Sequence, residues 1–166
     1  MSDKDLVNDF LTQAEEFYGP RFPGVTFEVR ESPANGALDS NFNPAANRVI
    51  IRIPADRQGN DRTGALAHES FHVFSPATPA ELKILDEGLA TQFAFRVVNY
   101  HPPLNFWDYR AAWAIVDWLD HLCPNAVLEL RRAQPRVALI EENEIVRVCR
   151  ELPGYWAHFL VQRFYQ

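Results

Sequence analysis

Apolar residues recur at helical spacing from position 3 to 18, at Leu6, Val7, Phe10, Leu11, Ala14, Phe17 and Tyr18, before Gly19-Pro20 interrupts the run. The pattern predicts an amphipathic helix. The period then shortens to two: Val25, Phe27 and Val29 alternate with Thr26, Glu28 and Arg30, the mark of a half-buried strand. Further extended stretches are expected over 36–42 and 48–53. Between them, Asn43-Pro44-Ala45-Ala46-Asn47 is rich in turn formers and predicts that the two strands are adjacent and antiparallel.

Helical periodicity returns at Asn60 or Asp61, either of which is a suitable cap, and lasts to Phe74, where Ser75-Pro76 stops it. Leu66 and Val73 mark one apolar row, and Ala67, Phe71 and Phe74 another. Thr78-Pro79-Ala80-Glu81 reads as a capping box with proline at the first helical position, predicting a helix from there to about 98. The same periodicity persists over 105–122, 124–133, 136–152 and 155–165, bounded by Pro124, Pro135 and Pro153-Gly154. A helix, about three strands and then helices alone make an α+β fold. The expected form is a small, mostly antiparallel sheet on the 61–74 helix, followed by an all-helical half. No repeat or linker divides the 166 residues, so one domain is expected over 1–166, and 47% hydrophobic residues suffice for a sizeable core.

The formal charge of −6, with no run of Lys or Arg, argues against nucleic acid as a partner. A polar start and the lack of any apolar run near 18 residues argue against a membrane and suggest a soluble, cytoplasmic protein. Cys123 and Cys149 lie far apart, outside any CxxC pair, and are expected to be free thiols packed in the core of a protein in a reducing compartment. Nothing in the pattern sets an oligomeric state.

Chemistry concentrates at His68-Glu69-Ser70-Phe71-His72, an H-E-x-x-H string. On a helix, positions i and i+4 share a face, so both imidazoles can reach one metal ion while Glu69 sits close enough to work on a metal-bound water. A catalytic zinc takes three protein ligands and leaves a fourth position open. The third candidate is Glu87, in Leu85-Asp86-Glu87-Gly88-Leu89-Ala90 on the next helix, where Gly88 and Ala90 would let two helices approach closely at the metal.

Taken together, 64–72 and 85–90 resemble the gluzincin branch of zinc metallopeptidases, in particular its peptidase MA-like members, where an E-G-x-A string follows H-E-x-x-H. The resemblance covers about 36–98 well and the rest loosely. It implies a minimal zincin-like domain in which His68, His72 and Glu87 bind Zn2+ and Glu69 is the general base. The implied reaction is hydrolysis of a peptide bond in a peptide or protein substrate. The alternative is a catalytically inactive zincin-like domain that serves as a protein-binding module.

Departures from the pattern leave some roles open. Other relatives keep an aspartate one turn after the third ligand to orient a histidine, but Thr91 stands there; Asp86 or Asp117 could serve, against the reading of each as a surface carboxylate. The segment around Tyr155 is similar to a late helix of several gluzincins, which makes Tyr155 or His158 the candidate donor to a developing oxyanion. Gly36-Ala37-Leu38-Asp39-Ser40 is similar to the G-A-M-E-N string of aminopeptidases, with Asp39 in place of glutamate as an anchor for a substrate amine. The 48–53 strand is where relatives lay substrate by strand addition. Phe106, Trp107, Tyr109, Trp113 and Trp118 read as core aromatics or as the lining of a substrate groove.

Overall fold

Every helix of this chain has to bury an apolar stripe, and one three-stranded sheet gives the first helices something to bury it against. The computed structural model describes residues 1–101 and 107–164, with Trp107 described by its backbone alone. The order is α1 (Asp3–Tyr18), β1 (Thr26–Ser32), β2 (Asp39–Asn43), β3 (Arg48–Pro54), α2 (Gly59–Phe74), α3 (Ile84–Val98), α4 (Trp107–Leu122), α5 (Ala126–Ala133), a 3-10 turn (Val137–Leu139), α6 (Glu142–Val148) and α7 (Gly154–Leu160). The expected α+β order is what the chain adopts. The expected helix start at Asn105, the side chains of Phe106 and Trp107, and Tyr165 lie outside the described residues.

The sheet corrects one expectation: it is mixed rather than mostly antiparallel. Its order is β1-β3-β2, with β3 parallel to β1 from Thr26↔Arg48 to Ser32↔Pro54 and antiparallel to β2 from Asp39↔Arg52 to Asn43↔Arg48. Local patterning shows that 26–32 is a strand but says nothing of which neighbour it joins. The β2–β3 hairpin forms as expected, with the Asn43 side chain accepting from Ala45 and Ala46 N–H across the turn. Val49, Ile51 and Ile53 of β3 are fully buried, while Arg48, Ile50 and Arg52 point to the other, partly open face.

α2 lies against β2 and β3 on one side and α1 and α3 on the other. Tyr18, Phe71, Phe74 and Phe93 meet at this junction, with the Tyr18 and Phe71 rings 5.5 Å apart and edge-on. Each such side chain stabilises the fold by roughly 1.5–3 kcal/mol on burial, and edge-to-face contacts add to it. Arg131 of α5 fastens the end of α1 to this core: its guanidinium lies 3.8 Å over the Phe74 ring and donates to the carbonyls of Tyr18, Pro20 and Pro135.

Three helix limits differ from the periodicity, for one shared reason. Glu81 does reach back to Thr78, but it closes a single turn, and the helix begins only at Ile84, with Lys83 extended and the Asp86 carboxylate accepting from its N–H. The chain is extended at Lys83, before the helix, because this stretch pairs with the chain's late segment: Ile84 N–H donates to Gln162 O, Phe164 N–H donates to Leu82 O, and Lys83 bridges Arg163. That pairing also ends the last helix at Leu160 rather than carrying it on. The 136–152 helix is split at Ile140, whose carbonyl accepts from the Lys83 ammonium at 2.6 Å. Gly88 makes its close approach to α4 rather than to α2: a methyl there would fall 2.6 Å from the Ala112 carbonyl oxygen.

The cysteines also differ from expectation. Cys123, just past α4, and Cys149, just past α6, are joined in a disulfide with their Cα atoms 5.6 Å apart. Helix packing closes a sequence separation of 26 that spacing alone made to look remote. With the thiols paired, they no longer argue for a reducing compartment. A loop of that length predicts about 3.5 kcal/mol of stabilisation. The Cys123→Ser, Cys149→Ser protein should unfold at correspondingly lower urea, and the wild type should show no thiol to alkylation until reduced; equal urea midpoints would contradict this.

Candidate metal centre

Two consecutive helices bring the three candidate ligands together. From Gly64 to Phe74 α2 is buried on all but one side, where His68 stays partly open and His68, Glu69 and His72 line an opening. α3 is buried from Ile84 to Ala94 and crosses close to α2, which sets Glu87 over that row. The Glu87 carboxylate spans both imidazoles, with Oε2 at 3.0 Å from His68 Nε2 and Oε1 at 3.6 Å from His72 Nε2. All three ligand atoms lie within 4.8 Å of one another.

The set fits a small divalent cation. Both histidines present the same ring nitrogen to one carboxylate, and two imidazoles with a carboxylate suit a catalytic zinc ion. Among the described residues the other grouping of this type, Cys123, Cys149 and Glu151, has its two sulfurs tied up in the disulfide.

The electrostatics follow from burying four acids and bases together. Burial alone would lower His72, but Glu87, Glu69 and Asp86 outweigh it and raise the imidazole to about 9. Burial would raise Glu87, but His72 and His68 hold it down at about 2. Glu69 is pushed up, mainly by burial, with the neighbouring histidines and Ser40 offsetting part of the rise. Asp86 is raised to about 7 by burial, against His72 and the Lys83 N–H.

These shifts set the pH response of the metal-free protein. His72 is raised, so its stabilising contact is complete below 6.5 and is lost as pH climbs to about 9. Asp86, also raised, acts in the same direction between 3.8 and about 7. Metal binding needs neutral imidazoles and therefore strengthens across the upper window. Melting temperatures in chelator should fall from pH 6.5 to 9 while the gain on adding zinc grows; a chelated protein that grows more stable over that range would contradict the assignment.

A cleft of about 470 Å³ opens over the ligands. Asp39, Ser40 and Asn41 of β2 and Arg52 of β3 line one side, and Ala77, Pro79, Leu82, Tyr109 and Phe164 the other. The Arg52 guanidinium grips Asp39 with two bonds of 2.7 and 2.6 Å. Asp39 is thus already neutralised. The strand expected to accept substrate, 48–53, is the central strand with both edges used, and the free edge at the cleft is β2.

The remaining expectations divide. Tyr155 is 66% exposed and stacks on Trp156, and His158 pairs with Glu142 at 2.9 Å, so both stand outside the cleft lining. Asp117 is a surface carboxylate beside His121, as read, whereas Asp86 is fully buried, contrary to the surface reading. Oδ1 of Asp86 and Nδ1 of His72 are both buried without a hydrogen-bond partner. The aromatic cluster separates: Trp113 packs on Phe95 and His101, Trp118 on Trp156, and Tyr109 reaches the cleft, its ring 5.7 Å from that of His68. Tyr109 was visible only as one aromatic among five, since helical spacing cannot tell which of them meets a cleft.

Comparison with known proteins adds no relative: no family model matches the sequence, and no curated protein or solved structure matches the chain. No helix among the described residues is long and apolar enough to cross a membrane.

Proposed function

We propose that this chain is a zinc-dependent peptidase of gluzincin type, built as a minimal zincin-like domain and acting on a peptide or protein. The observation that carries the reading is the convergence of His68, His72 and Glu87 at one point, beside the buried Glu69, on an open cleft.

His68, His72 and Glu87 would hold the ion, which supplies a Lewis acid and brings a water's pKa towards neutrality. Glu69, held towards its ionised form by the two imidazoles and made more basic by burial, takes a proton from the attacking water and returns it to the leaving amine. Substrate would lie along the β2 edge, where Ser40 and Asn41 line the cleft and strand pairing holds an extended backbone. Because Arg52 occupies Asp39, a free substrate amine finds no open carboxylate there, which favours cutting within a chain.

Tyr109 takes the role first given to Tyr155 or His158. Its ring lies 5.7 Å from that of His68 in the cleft lining, which makes it the aromatic side chain placed to meet negative charge growing on the substrate carbonyl. Tyr109→Phe should lower kcat about a hundredfold with zinc content unchanged, the effect of removing one such donor. Unaltered kcat would remove Tyr109 from the mechanism.

The test of the whole reading is metal analysis of purified protein with a peptide-library digest. About one zinc per chain and defined cleavage products are expected. Zinc without cleavage of any peptide would favour the inactive, protein-binding alternative, and no zinc with the three ligands intact would defeat both.

A further inference from the structure

The two sides of the cleft differ in chemistry, and the difference names a substrate class. The sheet side carries the Asp39–Arg52 pair and the polar Ser40 and Asn41. The opposite side, Ala77, Pro79, Leu82 and Phe164 with the Tyr109 ring, carries no charged group among the described residues. We infer that this apolar wall receives a large apolar or aromatic side chain of the substrate, next to the bond that is cut. The inference rests on the peptidase reading and adds to it the kind of residue recognised.

Three observations support it. The wall is held in place: Phe164 N–H donates to Leu82 O at 2.9 Å and Ile84 N–H to Gln162 O at 3.0 Å, so backbone bonds fix both Phe164 and Leu82. It lies close to the chemistry, since the Phe164 and Tyr109 rings are 4.9 Å apart and Tyr109 lies 5.7 Å from His68. It is also unsaturated: Leu82 and Phe164 are only partly buried and Pro79 is exposed, which leaves apolar surface facing the cleft that a bound side chain would cover. Polar side chains of a substrate gain nothing there and lose hydration.

The test uses the full chain and N-acetylated peptide amides that differ only at one central residue, Phe, Leu, Ala or Asp. Binding is read on the zinc-loaded Glu69→Gln protein, which needs no turnover, and cleavage is read on the wild type. Peptides with Phe or Leu should bind at least about tenfold more tightly than those with Ala or Asp, as apolar pockets discriminate by such factors. Phe164→Ala and, separately, Leu82→Ala should erase most of that preference while zinc content stays the same, and Phe164→Leu should keep it. Discriminated binding without any cleavage would leave the wall standing and sink the peptidase. Equal binding of all four peptides, no binding of any, or a preference untouched by both alanine variants would overturn the inference.

Discussion

Glu69→Gln abolishes measurable peptide cleavage, by about 10²–10⁴-fold, while the protein still binds its zinc and keeps its melting temperature within a few degrees; that is the expected result. The amide has the shape of the carboxylate and cannot take a proton. Glu69 is buried and is not among the three converging ligand groups, so its loss should leave the ligand cluster intact. Burial raises Glu69, so replacing the carboxylate with an amide relieves its desolvation and acts to stabilise the variant. The measurement is single-turnover cleavage of a library-selected peptide alongside metal analysis. Retained cleavage at more than a tenth of the wild-type rate would remove Glu69 as the base.

Glu87→Gln should act in the opposite way, on the metal first. It removes the only carboxylate of the ligand set and should weaken zinc by about 10²–10³-fold, the share of one ligand in the roughly 10–16 kcal/mol that four ligands give a structural site. A second effect is independent of zinc. Glu87 is the chief group raising His72, so in the metal-free variant the His72 imidazole should titrate well below about 9. Chelator competition reads the first effect and a pH series of histidine NMR signals reads the second. Zinc affinity within threefold of wild type would mean that Glu87 is no ligand, whatever becomes of His72.

Local rules carried the reading of the chain as far as local forces reach. α1 runs from Asp3 to Tyr18 as its periodicity required, with Ser2 and Asp5 closing a capping box at its start, and the β2–β3 hairpin formed around its Asn-rich turn. The adjacency of His68 and His72 on α2 was legible for the same reason, because a helix converts a spacing of four into adjacency. Glu87 was legible through the motif that carries it. What stayed hidden depends on contacts between distant parts of the chain. The parallel pairing of β1, the Cys123–Cys149 bond and the choice of Tyr109 over its aromatic neighbours all require knowing which helix packs where. Asp86 shows this most directly: a carboxylate beside a glutamate in a helix's first turn reads as solvated, yet it is completely buried, accepting from the Lys83 N–H and in the field of His72 on α2.

The clasp between 82–84 and 162–164 has a consequence for the order in which the proposed site would be assembled. The three candidate ligands lie within a short span of chain and can assemble early, since a small loop closes at little entropic expense. The cleft's far wall joins two segments separated by almost half the chain, and such a contact forms late. Refolding should therefore run on two clocks: on the proposed reading zinc would be taken up first, and discrimination among peptides would follow once 162–164 have paired with 82–84.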